Sequence, residues 1–159
     1  MTILVRPSRD EDIAAIHAIY TPAVLGGTAS FELEPPDAEE LRRRRAAILA
    51  DGFPYLVAEL DGRIVGYAYA GKYRPRPAYR YAVKHSIYVH HDHLGRGIGR
   101  ALLKELIDTC AAAGFRQMIG YVDADNAASL GLHESFGFNR VAHLPGVAYR
   151  FGRWADSIM

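Results

Sequence analysis

The chain lacks several features that would assign it quickly to a class of protein. It has one cysteine, Cys110, among 159 residues, so no disulfide can form within it. No apolar stretch approaches the roughly 20 residues that cross a bilayer, and no apolar leader resembles a signal peptide. Charges nearly cancel, because 19 Lys and Arg stand against 18 Asp and Glu. We therefore expect one soluble cytoplasmic domain over residues 1–159, with no nucleic-acid or membrane partner.

The chain does have a glycine-spaced basic loop between a predicted strand and a predicted helix. The loop reads His93-Leu94-Gly95-Arg96-Gly97-Ile98-Gly99-Arg100, follows the strand at 86–89, and leads into an amphipathic helix. Its glycines allow a sharp turn with converging N–H groups, and a helix N-terminus carries partial positive charge. The loop therefore predicts a phosphate site.

Two nucleotide-binding loops do not match these residues. A P-loop ends in Gly-Lys-Ser/Thr, whereas Gly99 is followed by Arg100-Ala101, so ATP and GTP are disfavoured. A dinucleotide fingerprint needs a third glycine where this chain has Arg100, which disfavours NAD. A pyrophosphate site at a helix start and an ordinary glycine-rich turn both remain open.

A second segment, residues 123–138, favours the pyrophosphate site over an ordinary glycine-rich turn. It contains Asn126-Ala127-Ala128-Ser129 as a predicted helix start and Gly137 as a predicted helix stop. With the loop, it resembles the GNAT superfamily of acetyl-CoA-dependent N-acetyltransferases, where such a loop binds pyrophosphate and an Asn-x-x-Ser helix lies along the pantetheine arm. A closer similarity, to the phosphinothricin N-acetyltransferase branch, rests on short stretches along nearly the whole chain: Thr28-Ala29-Ser30-Phe31-Glu32, Tyr79-Arg80, His85-Ser86-Ile87-Tyr88-Val89, Leu132-His133-Glu134 and Phe151-Gly152-Arg153-Trp154-x-Asp156.

Apolar periodicity predicts alternating strands and helices. The predicted helices are 10–20, 37–50, 98–113 and 126–136, and the predicted strands are 2–6, 55–60, 64–70, 81–89, 116–122, 139–144 and 147–154. Residues 21–36 are predicted as a loop, and Asp61-Gly62 as a hairpin turn. The resemblance implies an α/β (α+β) fold whose central mixed, mostly antiparallel sheet is flanked by helices. It also implies that the sheet splays between the loop-bearing strand and the next one, opening a slot for the cofactor arm.

The resemblance further implies acetyl-CoA as co-substrate, without a metal. The strand ending at Val89 would pair with the acyl-pantetheine arm and supply an N–H to the thioester carbonyl, while Asn126 and Ser135 hold the arm's amides. The predicted cofactor-binding residues are Ile87, Tyr88, Val89, Gly95, Arg96, Gly97, Ile98, Gly99, Arg100, Asn126 and Ser135.

Proton removal is where the chain departs from the branch it resembles. An amine must lose a proton before it attacks a thioester. The branch usually has Glu directly before the position of His85, where this chain has Lys84. Three outcomes remain open. A neutral Lys84 could act as the base, or Glu32, His85 or His133 could take the proton instead. Alternatively, the chain binds acetyl-CoA but transfers the acetyl group slowly. Because strand neighbours face opposite sides, Lys84 and His85 cannot both face the slot without a bulge. The resemblance implies that Lys84 faces it, because the branch's Glu does.

The predicted catalytic residues are Lys84, His133 and Glu32. His133 matches the histidine of the branch's Leu-His-Glu and acts on the thiolate or the substrate, unless it is a hydrogen-bonded core residue. The predicted acceptor-binding residues are Phe31, Arg74, Tyr79 and Arg80, since an arginine fork suits the carboxylate of an α-amino acid. The resemblance also implies a homodimer.

Two charged clusters are predicted to have no special role. Arg42 to Arg45 follow Glu39 and Glu40 at helical spacing, which favours a solvated helix face. Residues 90–93 read His-His-Asp-His, but neighbouring side chains in a turn are expected to diverge, which disfavours a metal site.

The predicted function is therefore acetyl-CoA-dependent N-acetylation of a small amino-acid-like amine, such as phosphinothricin, methionine sulfoximine or methionine sulfone, by direct acyl transfer. One alternative, motivated by Lys84, is an acyl-CoA-binding sensor or a catalytically weakened relative. Another is a protein or peptide N-acetyltransferase, which would have an open groove.

Overall fold

A computed structural model describes residues 2–159, which form two sheets and four α-helices. The elements in chain order are β1 (Ile3–Pro7), α1 (Ile13–Gly26), α2 (Ala38–Ala50), β2 (Tyr55–Leu60), β3 (Arg63–Lys72), β4 (Ala82–Val89), α3 (Ile98–Ala112), β5 (Gln117–Ile119), β6 (Val122–Asp123), α4 (Ala127–Ser135), β7 (His143–Arg150) and β8 (Arg153–Ile158). Within this range no helix combines the length and the apolar character needed to cross a membrane.

The larger sheet has the strand order β1-β2-β3-β4-β5. Its pairs are antiparallel except β4 with β5, which is parallel. The smaller sheet has the order β6-β8-β7 and is antiparallel. The predicted α/β fold with a mixed, mostly antiparallel sheet flanked by helices is confirmed.

Strands β4 and β5 part soon after they meet. They pair only from Ala82 with Gln117 to Lys84 with Ile119, after which β4 continues to Val89 and β5 ends. The far half of β4 therefore pairs with β3 alone. The predicted splay lies at this point, and it determines where the cavity described below opens.

Apolar side chains cover both faces of the larger sheet. On one face α3 packs its buried Ile98, Leu102 and Leu106 against β2, β3 and β4. On the other face α1 packs Ile16 and Val24 among sheet tyrosines. The helix that starts at the glycine loop is thus fixed to the strand that precedes the loop.

The segment predicted as a loop at 21–36 is helical up to Gly26, which corrects the sequence prediction. Pro22 lies inside α1 and cannot donate the backbone hydrogen bond to Ala18. Burial of Val24 favours the extra turn, and Arg150 on β7 completes it. Its guanidinium donates to the carbonyl of Gly27 at 2.6 Å and to those of Ala23 and Val24. This partner lies more than 120 residues away, so local sequence does not reveal it.

The last two strands are shifted from their predicted positions at 139–144 and 147–154. The hairpin turns at Phe151-Gly152, which have φ of 50° and 77°, and not at Pro145-Gly146. Gly146, with φ of 56°, lies within β7 where the register shifts, and its N–H donates to the Asp156 carboxylate at 2.7 Å. The apparent turn signal at 145–146 belongs to a strand irregularity.

The contact between β3 and α3 gives a test of this packing. A Cβ added to Gly66 would lie 2.9 Å from Cγ2 of Ile98 and 3.0 Å from Cδ1 of Leu102. Both side chains are fully buried, and the backbone carbonyl oxygen of Tyr88 would lie 3.1 Å from the same Cβ. We expect Gly66→Ala to lower the free energy of unfolding by about 1–3 kcal/mol, measured by chemical denaturation. Gly71→Ala, on the same strand with nothing within 4 Å, is the control and should be neutral or slightly stabilising. Equal stabilities for the two variants would contradict the close packing.

Candidate active site

A cavity of about 410 Å³ opens where β4 leaves β5. One wall is β4 from His85 to Val89, and the opposite wall is residues 120–123 with α4. The loop at 93–100 closes one end, and residues 28–31, which follow α1, line the cavity as well. The predicted cofactor residues Ile87, Tyr88, Val89, Gly95, Gly97, Ile98, Gly99, Arg100 and Asn126 all line it, whereas Arg96 and Ser135 do not.

The loop end of the cavity is the N-terminus of α3. Gly97 is the N-cap residue with φ of 83°, and Gly95 has φ of 73°, so both adopt the left-handed conformation that favours glycine. No side chain caps α3, and the first N–H groups of a helix have no partner within it. Arg100 adds a cation and donates to Ser135 Oγ at 3.0 Å. This end can bind a multiply charged anion.

The two long walls offer amide-binding groups. The edge of β4 beyond Lys84 has no strand partner on the cavity side. On α4, Asn126 is the N-cap, and its Oδ1 accepts the Ser129 N–H at 3.1 Å, which leaves the side-chain NH₂ available. An extended ligand that carries its own amides fits between these walls.

Two histidines meet at the inner end of the cavity. His85 Nε2 lies 2.8 Å from His133 Nε2, and His133 Nδ1 lies 2.7 Å from the Ser129 carbonyl oxygen. Both rings contact Phe138. Burial, with His133 as a neighbour, lowers the pKa of His85 to about 3.

The expectation that Lys84 rather than His85 faces the slot is wrong. His85 shares the face of β4 that Val83 presents to α3, whereas Lys84 shares the face of Tyr88, toward α1. The Lys84 side chain is exposed and does not line the cavity. Alternation does place Lys84 and His85 on opposite faces, but both faces of β4 border the cavity, since Ser86 and Tyr88 also line it. Lys84 itself lies where β4 is still paired with β5.

Glu32 does not line the cavity, although Phe31 next to it does. The Glu32 carboxylate accepts hydrogen bonds from the Tyr20 hydroxyl at 2.5 Å and from two Arg44 nitrogens at 2.5 and 3.2 Å. Although burial opposes the shift, these donors hold the pKa of Glu32 below its usual value, while burial raises the pKa of Tyr20 to about 12. Glu32 anchors the loop that carries Phe31 and Ser30, and it is not placed as a free base.

The other predicted acceptor residues lie outside the cavity. Arg74 stacks over the rings of Tyr73 and Tyr79 at 5.2 and 5.6 Å, and Arg80 stacks over Tyr81. The cluster reaches the cavity through Tyr121, a lining residue beside Tyr73, and burial together with this neighbour raises the pKa of Tyr121. Sequence reasoning did not assign a role to Tyr121, which has no local signal.

The charged clusters differ from expectation in two details. Three of the four arginines at 42–45 pair with nearby Glu side chains, as a solvated face requires, but Arg45 is buried and binds Ser8 and Asp10. The ligand atoms of His90, His91 and Asp92 lie within 4.8 Å of one another, so these side chains do not diverge. The rings of His90 and His91 stack, with centroids 4.5 Å apart.

Residues 6–138 match the model of the acetyltransferase (GNAT) family. The chain is 51% identical over 156 residues to a phosphinothricin N-acetyltransferase of Alcaligenes faecalis, covering 98% of this chain and 79% of that protein. It is 41% identical over 145 residues to an L-methionine sulfoximine/L-methionine sulfone acetyltransferase of Salmonella typhimurium, covering 91% and 85%. A crystal structure of a GNAT superfamily phosphinothricin acetyltransferase from Sinorhizobium meliloti in complex with AcCoA matches with a TM-score of 0.96 at 40% identity, covering 99% of this chain and 86% of that one.

Proposed function

The chain belongs to the acetyltransferase (GNAT) family and is an acetyl-CoA-dependent N-acetyltransferase, and we propose that its acceptor is the amino group of a small amino-acid-like molecule. Relatives named for phosphinothricin and for methionine sulfoximine and sulfone support this class of acceptor. The observation that carries the assignment of the acetyl-CoA site is that the unpaired edge of β4 and the uncapped N-terminus of α3 line one cavity.

We assign the binding of acetyl-CoA to this cavity. The free N–H groups at the start of α3, with Arg100, would hold the diphosphate, because they combine hydrogen bonding with positive charge. The backbone of Ile87 to Val89 and the amide of Asn126 would hold the pantetheine arm. An N–H of the β4 edge would also stabilise negative charge on the thioester oxygen as the amine attacks.

The acceptor would enter from the side of Phe31 and Tyr121, where the cavity meets the cluster of Arg74, Tyr79 and Arg80. Guanidinium groups near this entrance suit the carboxylate of an amino acid. The predicted role of Ser135 is a contact with the arm, although its Oγ already donates to the Leu132 carbonyl. We also propose a cytoplasmic location, consistent with a lone cysteine, Cys110, that is buried and unpaired.

Substitution of Gly97 tests the anion site. We expect Gly97→Ala to weaken acetyl-CoA binding about tenfold by calorimetry, because a Cβ strains the left-handed conformation that aligns the N–H groups. Gly114→Ala is the matched control, since Gly114 has φ of 91°, open space around it, and lies at the other end of α3. Both variants should lose similar stability, and equal affinities for acetyl-CoA would refute the assignment.

Substitution of Lys84 tests whether the chain is a fully active enzyme or a catalytically weakened relative. Lys84 lies outside the cavity, but it shares its face of β4 with Ser86 and Tyr88, which line the cavity. We therefore expect Lys84→Glu to raise kcat roughly tenfold with amino-acid acceptors, because a carboxylate there accepts a proton through water and attracts the ammonium form. Lys84→Gln controls for loss of the positive charge alone and should change kcat far less. Release of free CoA is the measurement. Tight acetyl-CoA binding without turnover of any amine in all three proteins would instead favour the sensor alternative.

An exposed aromatic surface on β7 and β8 supports the predicted homodimer. Tyr149 and Trp154 are 56% and 69% exposed, and their rings contact each other at 4.8 Å. We expect sedimentation to give twice the chain mass, and Trp154→Arg to shift the protein toward the monomer. Leu49→Arg, at an exposed apolar residue of α2, should leave the mass unchanged. A monomeric parent protein at micromolar concentration would rule the dimer out.

A further inference from the structure

A second cavity, of about 500 Å³, adjoins the inner end of the cavity assigned to acetyl-CoA, which we call the donor cavity. Most of its lining residues are apolar and come from α3, β5, the segment after α4, and β8: Ile107, Met118, Phe136, Phe138, Val141 and Ile158. Within residues 2–159, three residues line both cavities, namely Gly120, Val122 and His133. The imidazole of His133 therefore stands at the boundary between the two cavities.

Three aromatic rings meet at this boundary and form what we call the partition: His85, His133 and Phe138. His85 lines the donor cavity, Phe138 lines the second cavity, and His133 lines both. The ring centroid of His133 lies 5.0 Å from that of His85 and 5.1 Å from that of Phe138. A Cβ on Gly120 would lie 3.0 Å from Cε1 of His85 and 3.5 Å from Nε2 of His133, so the chain beside the rings packs closely against both.

The His133 ring is held in the partition at both of its nitrogens. Its Nδ1 lies 2.7 Å from the Ser129 carbonyl oxygen, and its Nε2 lies 2.8 Å from Nε2 of His85. A ring that swung out of the partition would lose both contacts, which opposes such a movement. We therefore expect an entering ligand to meet the partition closed.

The length of the pantetheine arm brings the acyl group to this place. A Cβ on Gly99 would lie 3.7 Å from Cγ2 of Val89, so the diphosphate site at the start of α3 lies beside that end of β4. The arm has about twelve bonds between its phosphate oxygen and its sulfur, roughly as many as four residues of extended backbone. Four residues back from Val89 along the free edge is His85, next to the last pair of β4 with β5. The thioester therefore ends against the partition.

We propose that the His133 ring, positioned by His85, is a specificity-determining group that restricts the acyl donor to acetyl-CoA. This rests on the proposed function. An acetyl group has a single methyl beyond its carbonyl and ends at the partition, whereas a longer acyl chain needs the space that His133 fills. The other direction, past Phe31 and Tyr121, is the side proposed for entry of the acceptor, so a long chain there would compete with the amine.

A donor series with the unaltered protein is the first test. With L-methionine sulfone as acceptor and release of free CoA as the measurement, we expect kcat/KM to fall about tenfold from acetyl-CoA to propionyl-CoA, and about a hundredfold or more to hexanoyl-CoA. Similar values for acetyl-CoA and hexanoyl-CoA would overturn the proposal. If acetyl-CoA binds but no amine reacts, the proposed function has failed, and the Kd values of the same thioesters must then show the same order for the partition to hold.

Two single variants locate the restriction. We expect His133→Ala to raise the ratio of kcat/KM for hexanoyl-CoA to that for acetyl-CoA about tenfold or more, because the chain can then enter the second cavity. This ratio is unaffected by any loss of rate that both donors share. Phe138→Ala is the matched control, since it enlarges the second cavity and leaves His133 in place, and it should keep the ratio within about twofold of the parent value. An unchanged ratio in His133→Ala, or an equal rise in Phe138→Ala, would refute the proposal.

A double variant tests where the longer chain goes. Leu130 lines the second cavity and not the donor cavity. Adding Leu130→Phe to His133→Ala should therefore abolish the gain with hexanoyl-CoA and leave kcat/KM for acetyl-CoA as it is in His133→Ala. A gain that persists would contradict entry into the second cavity. The donor series needs no variant, so it decides the matter even if His133→Ala does not fold.

Discussion

The point at which β4 and β5 stop pairing governs the rest of the site. A strand edge with unpaired N–H and C=O groups is costly unless water, protein or a ligand satisfies it. Here the edge runs from His85 to Val89, beyond the last pair of Lys84 with Ile119. Other proteins cover such an edge with another strand, and this chain turns away at Gly120 and leaves a cavity. A ligand with a peptide-like arm would satisfy these groups by pairing with the edge.

Two helices then give the two ends of the cavity different chemistry. The start of α3 is held against β3 by contact with Gly66, which places free N–H groups and partial positive charge at one end. The C-terminal turn of α4 brings His133 to the other end, against His85. The chain has a formal net charge of only +1, so attraction for an anion comes from this local arrangement and not from the molecule as a whole. One end therefore suits phosphate, and the other end carries two imidazoles in contact.

The features that sequence predicted well are those with a local physical signature. Gly97 and Asn126 mark helix starts through backbone freedom and capping, and both occupy those positions. The features that it missed depend on distant partners. Arg150 extends α1 from across the fold, which no local window contains. Alternation along β4 was predictable, but deciding that His85 and not Lys84 borders the cavity required knowing that β4 leaves β5 directly after Lys84. For the same reason the histidine pair could not be found from spacing, because its members are 48 residues apart.

The central claim is that amides at the start of α3 and along the free edge of β4 bind the two halves of one acetyl-CoA molecule. An NMR titration of the ¹⁵N-labelled protein with acetyl-CoA tests it most directly. The amide signals of residues 97–100 and 86–89 should shift together, saturate at one ligand per chain, and lose the changes at 97–100 when the ligand lacks its diphosphate. No binding, or shifts confined to residues outside the cavity, would contradict the claim.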